Sequence, residues 1–407
     1  MPKTGLRPRA RVLVLMFMLP PVAGFPPAAS AETLAGPALP PGGKISVLER
    51  SDLRKYVNGA FVGLEYRETR GILAWEETPD GTRITGNYYV LEELNHSGVK
   101  EARKIDDIVP VTYSILADGT FEMEGDSPYP ALRGFPVVPA REVGVGEKWR
   151  AYGLRIVRPP DKGSPTRVKF YCEFVYGGER ELDGAAFRLI DAKYAVRYKR
   201  GEDPSGDERL QSLSGSHSVS IRLSASGGAL SFMRDQIEET YVMTDGKKVA
   251  YKGFTLTWFN ASVPMDREKL ADSIARKLSE TGVKDMEVTQ KPEGVSVSLN
   301  SIRFIADQAV VLSEEKPRLE ALAAALALIP ERSFRVIGHT ARVGTEKSQY
   351  ELSVARAKAI VDFLVSRGFA AERFLYEGKG GTEPVAPNDT EVTMAKNRRV
   401  EIVVLED

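Results

Sequence analysis

Arg356 is the residue whose placement most invites chemistry. It follows Leu352 by four positions and precedes Ile360 by four and Phe363 by seven, so a helical reading puts a guanidinium on the stripe that should be packed. A buried charge without a partner is costly. An Arg in this position therefore runs its stem along apolar neighbours with its head in water, sits in an ion pair, or grips an anion from outside the fold. A carboxylate suits the last role, because the planar guanidinium fork meets both carboxylate oxygens at once.

Other chemistry finds little support. Cys172 is the only cysteine, which excludes a disulfide within the chain. It alternates with Val168, Phe170 and Phe174 in a strand-like run, so it reads as a small core residue, not a nucleophile. The three histidines, His96, His217 and His339, are scattered and have no metal-ligand spacing. No Ser-His-Asp arrangement, nucleophile elbow or recognisable carboxylate pair is present. The expectation is a non-enzyme without cofactor or metal. Lys and Arg number 56, as do Asp and Glu, so no global field draws nucleic acid or acidic lipid.

The elements that must position Arg356 come from 407 residues, too many for one ordinary domain. Residues 1–31 read as a signal peptide. Lys3, Arg7, Arg9 and Arg11 are basic, Val12 to Leu19 is apolar, and Ala29-Ser30-Ala31 offers a cleavage site. Its removal leaves 52 basic groups against 56 acidic ones. Residues 32–58 read as a Pro/Ala/Gly-rich linker followed by a short amphipathic lead-in.

From residue 59 to 263 the pattern is β throughout. Thr166–Tyr176, Ala186–Tyr198, Ser218–Ser224 and Gly253–Phe259 are apolar-alternating or aromatic runs, separated by turn signals such as Gly177-Gly178 and Thr244-Asp245-Gly246. An antiparallel all-β domain is expected, as a sandwich or a barrel-like sheet. Phe135–Trp149 reads as a crossover whose Trp is core or a cap, and Gly201–Gly215 as an exposed loop. Charges at Arg188, Asp191, Lys193 and Arg197 favour a soluble periplasmic domain, although alternation also fits a transmembrane barrel.

Residues 264–294 read as an amphipathic helix plus a hairpin turning at Lys291-Pro292-Glu293-Gly294. Within 295–407, strands at Val295–Phe304, Phe334–Ile337, Phe374–Gly378 and Arg398–Leu405 alternate with helices at Ser313–Ile329 and Ser348–Arg367. The order βαβαββ predicts an α/β sandwich with both helices on one sheet. The whole chain is thus an α+β multidomain protein. The loop after Ile337 should meet the start of the second helix, where backbone amides and Thr340 favour an anion beside Arg356.

The segments GHTARVG (338–344), ELSVARA (351–357) and KNRRVEI (396–402) resemble the signature segments of the OmpA-like C-terminal domain, over about residues 295–405. That resemblance implies an envelope protein whose partner is peptidoglycan, with Arg356 gripping the peptide stem and Thr340 and His339 in the binding loop. The family's Asp has its counterpart here in Ala341, its Asn in Gln349, and Arg398 is expected at the border of the loop. Asp307 could supply the missing carboxylate. Ala341 implies weakened or altered ligand specificity, since its own side chain offers nothing to the stem's ammonium. The alternatives are a scaffold that has lost peptidoglycan binding and an outer-membrane β-barrel tethered to the cell wall. Other envelope proteins are the expected partners of the β domain, and membrane association is left open.

Overall fold

Strict alternation of apolar and polar residues buries one face of a strand and wets the other, and this alternation organises the first two-thirds of the molecule. The computed structural model describes residues 32–34, 43–93, 101–116, 120–262, 264–305 and 308–407. The expected signal peptide, His96 and Asp307 lie outside the described residues.

In chain order the strands of this part are β1 (Glu32–Thr33), β2 (Lys44–Val57), β3 (Ala60–Thr78), β4 (Gly81–Glu93), β5 (Arg103–Lys104), β6 (Asp107–Leu116), β7 (Phe121–Met123), β8 (Leu132–Arg133), β9 (Glu142–Val143), β10 (Lys148–Val157), β11 (Thr166–Leu182), β12 (Ala185–Lys199), β13 (Leu210–Ser224), β14 (Leu230–Met243) and β15 (Lys248–Ser262). Twelve of them form one antiparallel sheet in the order β7-β6-β4-β3-β2-β15-β14-β13-β12-β11-β10-β8. The sheet curls until its edges approach, and the Arg133 guanidinium of β8 lies 5.9 Å from the Phe121 ring of β7. A barrel-like sheet, one of the two expected architectures, is therefore what forms.

Strand β12 shows the polarity of the sheet's outer face most plainly. On β12, Ile190, Ala192, Tyr194, Val196 and Tyr198 are buried, while Asp191, Lys193 and Arg197 are exposed. A lipid-facing barrel has the reverse pattern, with an apolar outer band. Among the described residues no helix is long and apolar enough to cross a membrane.

Several boundaries differ from expectation. Lys44–Val57 is no lead-in but a 14-residue strand held between β15 and β3. Its inward residues Val47, Ser51 and Leu53 are buried, and the charges that made it look amphipathic alternate with them. The 201–215 segment is anchored, not merely solvated. Asp203 accepts from the backbone N of Arg167 at 2.7 Å and Asp207 from that of Ser164 at 2.8 Å, and β13 already starts at Leu210. Trp149 stacks on Phe174 with centroids 5.4 Å apart, donates to the Val137 carbonyl at 2.8 Å, and packs half-buried against the core.

The C-terminal part contains α1 (Arg267–Glu280), β16 (Met286–Lys291), β17 (Gly294–Leu299), α2 (Lys316–Leu326), β18 (Phe334–Gly338), α3 (Glu346–Ser366), β19 (Phe374–Gly378), α4 (Glu391–Asn397) and β20 (Val400–Leu405). Local signals set the helix ends. Asp266 caps α1 by accepting from the Lys269 amide at 3.0 Å, and Gly368, at φ +94°, takes the left-handed conformation that ends α3. The strands order as β16-β17-β20-β18-β19-β5, with the β18–β19 and β19–β5 pairs parallel and the others antiparallel. The hairpin expected as a lead-in is thus part of this sheet, and Ile274 and Leu278 of α1 share its core. The first strand stops at Leu299, since Phe304 makes only an isolated bridge to Val311.

One face of this sheet carries the helices; the other packs on the barrel-like domain. Tyr89, Leu91 and Ile105 form a buried cluster with Ile337, Leu375, Val403 and Leu405. The short strand β5 joins the two sheets: the Ile105 amide donates to the Tyr376 carbonyl at 2.8 Å, and that of Asp106 to Val90 at 2.9 Å. Arg335 lies 5.6 Å from the Tyr89 ring and donates to Glu377 at 2.6 Å and Glu293 at 2.8 Å.

The shared core predicts coupled unfolding. All three tryptophans, Trp75, Trp149 and Trp258, lie in the barrel-like domain, whereas Leu375, fully buried in the shared cluster, belongs to β19. Leu375→Ala should remove about 2–5 kcal/mol and lower the urea midpoint read by tryptophan fluorescence. An unchanged tryptophan curve would show that the two parts melt independently.

Candidate functional site

Helix α3 lies unusually low on the sheet. A Cβ added to Gly338 would fall 2.0 Å from the Ser353 carbonyl, and one added to Gly378 would fall 2.1 Å from Ser353 Oγ. Both strand ends therefore require glycine. Ser353 is itself buried; its hydroxyl donates to the Tyr350 carbonyl at 2.7 Å and accepts from the Gly380 amide at 3.0 Å. This serine fastens α3 to the loop after β19.

Arg356 follows one turn later and is 8% exposed. The buried stripe of α3 is Ser353, Arg356, Ala357, Ile360, Val361 and Leu364, so the guanidinium sits on the packed face as its spacing predicts. Leu352 and Phe363 flank that face instead of centring it. The guanidinium carbon lies 4.8 Å from the Phe304 ring, a cation–π distance.

The loop after β18 meets the same region. Thr340 donates its amide to the Gly380 carbonyl at 2.8 Å, while its hydroxyl is buried without a hydrogen-bond partner. Ala341 is buried beside it, 5% exposed, and brings no carboxylate. Gln349 spans the two loops: it packs on Gly380 and Gly381 and donates to the Gly344 carbonyl at 3.1 Å. The structure thus links Thr340, Ala341, Gln349 and, through Ser353, Arg356.

Two expected site residues lie elsewhere. His339 is 1% exposed on the barrel-facing side of the sheet, with Nε2 3.5 Å from a Glu401 carboxylate oxygen. Burial and the neighbouring Arg399 guanidinium push its pKa down to about 3, so the ring is neutral and occupies the interior. Arg398 caps the end of α4 and pairs with Glu391, because the chain is still helical there and the last strand starts only at Val400. The inner arginine is Arg399, which donates to Glu401 at 2.8 Å and to the Glu383 carbonyl at 3.1 Å. Helix α3 also starts with a capping box between Thr345 and Ser348, which takes up the Ser348 amide that was expected to face an anion.

Sequence reading missed α4 and Asn397. The buried Asn397 side chain accepts from the amides of Val385 and Ala386 at 2.8 and 3.0 Å and holds the outer loop, which in turn bonds the Arg342 amide through Asn388 at 3.0 Å. The signal was available: Thr390 and Thr393 have capping-box spacing. Elsewhere, the Cys172 thiol is buried and burial pushes its pKa up to about 12, which suits a packing residue. Among the described residues no group of three or more His, Cys, Asp or Glu is placed to hold a metal.

A mixed sheet with helices on one face, of which α3 carries a buried Arg, defines an α/β sandwich. Residues 303–398 carry a domain of the OmpA family, so the resemblance read from the three segments holds for the C-terminal region. The chain is 33% identical over 179 residues to the peptidoglycan-binding protein ArfA of Mycobacterium tuberculosis, which covers 39% of this chain and 53% of that protein. It is also 33% identical over 115 residues to outer membrane protein A of Bordetella avium, covering 28% of this chain and 59% of that protein. The chain thus spans about half the length of these curated relatives. Among solved structures, the cell wall anchor of the type VI secretion system from Pseudomonas aeruginosa is 31% identical, covering 35% of this chain and all of the other, with a TM-score of 0.30.

The depressed His339 pKa sets a pH dependence. Between about pH 3 and the ordinary histidine value near 6.5, the unfolded state binds the proton and the folded state does not, so stability falls as pH drops through that window. In urea unfolding, the stability of the wild type relative to His339→Gln should decline by up to roughly 1.4 kcal/mol per pH unit below about 6.5. A pH-independent difference would mean that His339 accepts its proton in place.

Proposed function

We propose that this is a non-enzymatic cell-envelope protein of the periplasm whose C-terminal domain docks on peptidoglycan through Arg356, with the Thr340–Ala341 loop and Gln349 shaping the pocket. The observation that carries this reading is the burial of Arg356 on the packed stripe of α3, beside a loop whose Thr340 hydroxyl is buried without a partner. A desolvated guanidinium binds a carboxylate far better than an exposed one. The family match and the relatives named above support the choice of ligand.

Ala341 tunes the specificity. A stem residue bearing both ammonium and carboxylate finds a fork of donors in Arg356 but no anion at Ala341, so binding is weaker than in a pocket with Asp, or selects a different stem. The second reading, a scaffold that has lost its ligand, rests on the same alanine. The charged outer face of β12 opposes a tethered membrane barrel, and other envelope proteins are the proposed partners of the barrel-like domain.

Sedimentation of the chain from Glu32 with purified sacculi separates these readings. The wild type should pellet, Arg356→Ala should lose on the order of a hundredfold or more in affinity, as expected for breaking a buried ion pair, and Ala341→Asp should bind more tightly. A wild type that stays in the supernatant, with binding restored in Ala341→Asp, would establish the scaffold reading instead.

A further inference from the structure

The barrel-like domain contains a cavity of about 450 Å³, within the roughly 300–1,000 Å³ range of small-molecule sites. Protein interiors hold few voids larger than a water molecule, so a space of this size inside a sheet marks a site to be filled. Its wall is mostly apolar: Val47, Leu73, Ile84, Tyr88, Tyr113 and Phe259 line it, and all but Phe259 are at most 7% exposed. The segment that joins the two edges of the sheet covers it, with Tyr129 stacked 5.0 Å from Tyr88 and Phe135 also in the lining. Ile115, another lining residue, is 40% exposed, which puts an entrance beside β6.

The floor is polar in one place. Glu49 of β2 pairs across the sheet with Thr69 of β3 on one side and Thr257 of β15 on the other, so three side chains form a row across adjacent strands. All three line this cavity and also the smaller one beneath it, which Arg155, Asp235 and Glu239 border. Glu49 makes no hydrogen bond to a described side chain. Burial raises its pKa and Asp235 adds to this, against the lowering effect of Arg155 and Arg67. The carboxyl therefore holds its proton more readily than an exposed one. The charges below are already engaged: Arg155 donates to Glu239 at 3.0 Å, and His217 lies 2.9 Å from Asp235 and 3.2 Å from Glu239.

We propose that the barrel-like domain binds a lipophilic molecule of acyl-chain size, its body in the apolar cavity and a neutral hydroxyl, ester or amide end on the Thr69–Glu49–Thr257 row. A carboxylate end would need an unengaged cation, which the row does not offer, and the burial of Glu49 disfavours the ionised form that an ammonium end would need, whereas the two threonine hydroxyls suit a neutral end. The protein so read carries a small amphiphile in one domain and a cell-wall contact in the other, and the first does not depend on the second.

The test uses the full chain from Glu32 with N-phenyl-1-naphthylamine as the fluorescent probe, and monolauroylglycerol, laurate and dodecylammonium as competitors below their micellar concentrations. Saturable one-to-one binding is expected, with monolauroylglycerol displacing the probe at about tenfold lower concentration than either charged competitor. Val47→Phe, which fills the cavity, should weaken probe binding by about tenfold or more. Ile115→Arg, at the 40% exposed entrance where a long side chain can reach water, should do the same, and serves if Val47→Phe does not fold. Glu49→Ala should keep the probe and lose the preference among end groups. Absence of saturable binding, or binding unchanged in Ile115→Arg and in a folded Val47→Phe, would overturn the site. Displacement by dodecylammonium equal to that by monolauroylglycerol would overturn the assignment of a neutral end.

Discussion

The contact of Ser353 with two glycines governs the C-terminal domain. Because neither Gly338 nor Gly378 has a Cβ, α3 settles directly on the ends of β18 and β19, and the Ser353 hydroxyl takes the Gly380 amide that a higher helix would leave to water. Everything one turn further along α3 inherits that depth. Arg356 is buried for this reason, and burial gives its charge the strength that a surface arginine lacks. Gln349, one turn earlier, reaches both loops for the same reason.

The second face of the same sheet carries another constraint. A sheet with helices on one side only must cover the other with something, and here the barrel-like domain does so through Tyr89, Leu91 and Ile105. The polar part of this contact is a set of buried ion pairs around Arg335 and Glu401. Such pairs are weak sources of stability, because desolvation offsets their attraction. Both partners of each pair belong to the C-terminal part, so they neutralise the charges of this layer in place, while Lys44 of β2 reaches across from the barrel-like domain to Glu406 at 3.0 Å. The neutral His339 belongs to this layer and not to the Thr340–Ala341 loop.

Inside the barrel-like domain the same economy of charge appears. Arg155, Glu239, Asp235 and His217 satisfy one another, with Tyr241 donating to Glu239 at 2.7 Å and Tyr194 to Asp235 at 3.2 Å. Burial alone would raise the Glu239 pKa, but Arg155 and His217 outweigh it and hold the carboxyl well below the usual range. Closing the sheet brings these groups together from four strands, and Glu49 is the acid left facing the space above them.

Local periodicity was enough to read much of this protein. The four-residue spacing around Arg356, the turn at Thr244-Asp245-Gly246, the glycine that ends α3 and the alternation of Val400, Ile402 and Val404 each depend on neighbours in the chain, and each appears in the structure as read, whereas Gly177-Gly178, expected as a turn, is an irregularity inside β11. The segments GHTARVG, ELSVARA and KNRRVEI likewise identified the C-terminal family. What the sequence could not determine was pairing between distant strands. Lys44–Val57 looks amphipathic in isolation and becomes a central strand only because β15 closes on it. Two residues, Arg103 and Lys104, carry no pattern at all and still join the two sheets. His339 and Arg398 stand in the expected segments but point away from the Thr340–Ala341 loop, since the face a side chain takes depends on where its strand begins and what packs behind it. The row of Thr69, Glu49 and Thr257 exists only in the register of three strands, and register is decided by burial across the whole sheet, which no local window contains.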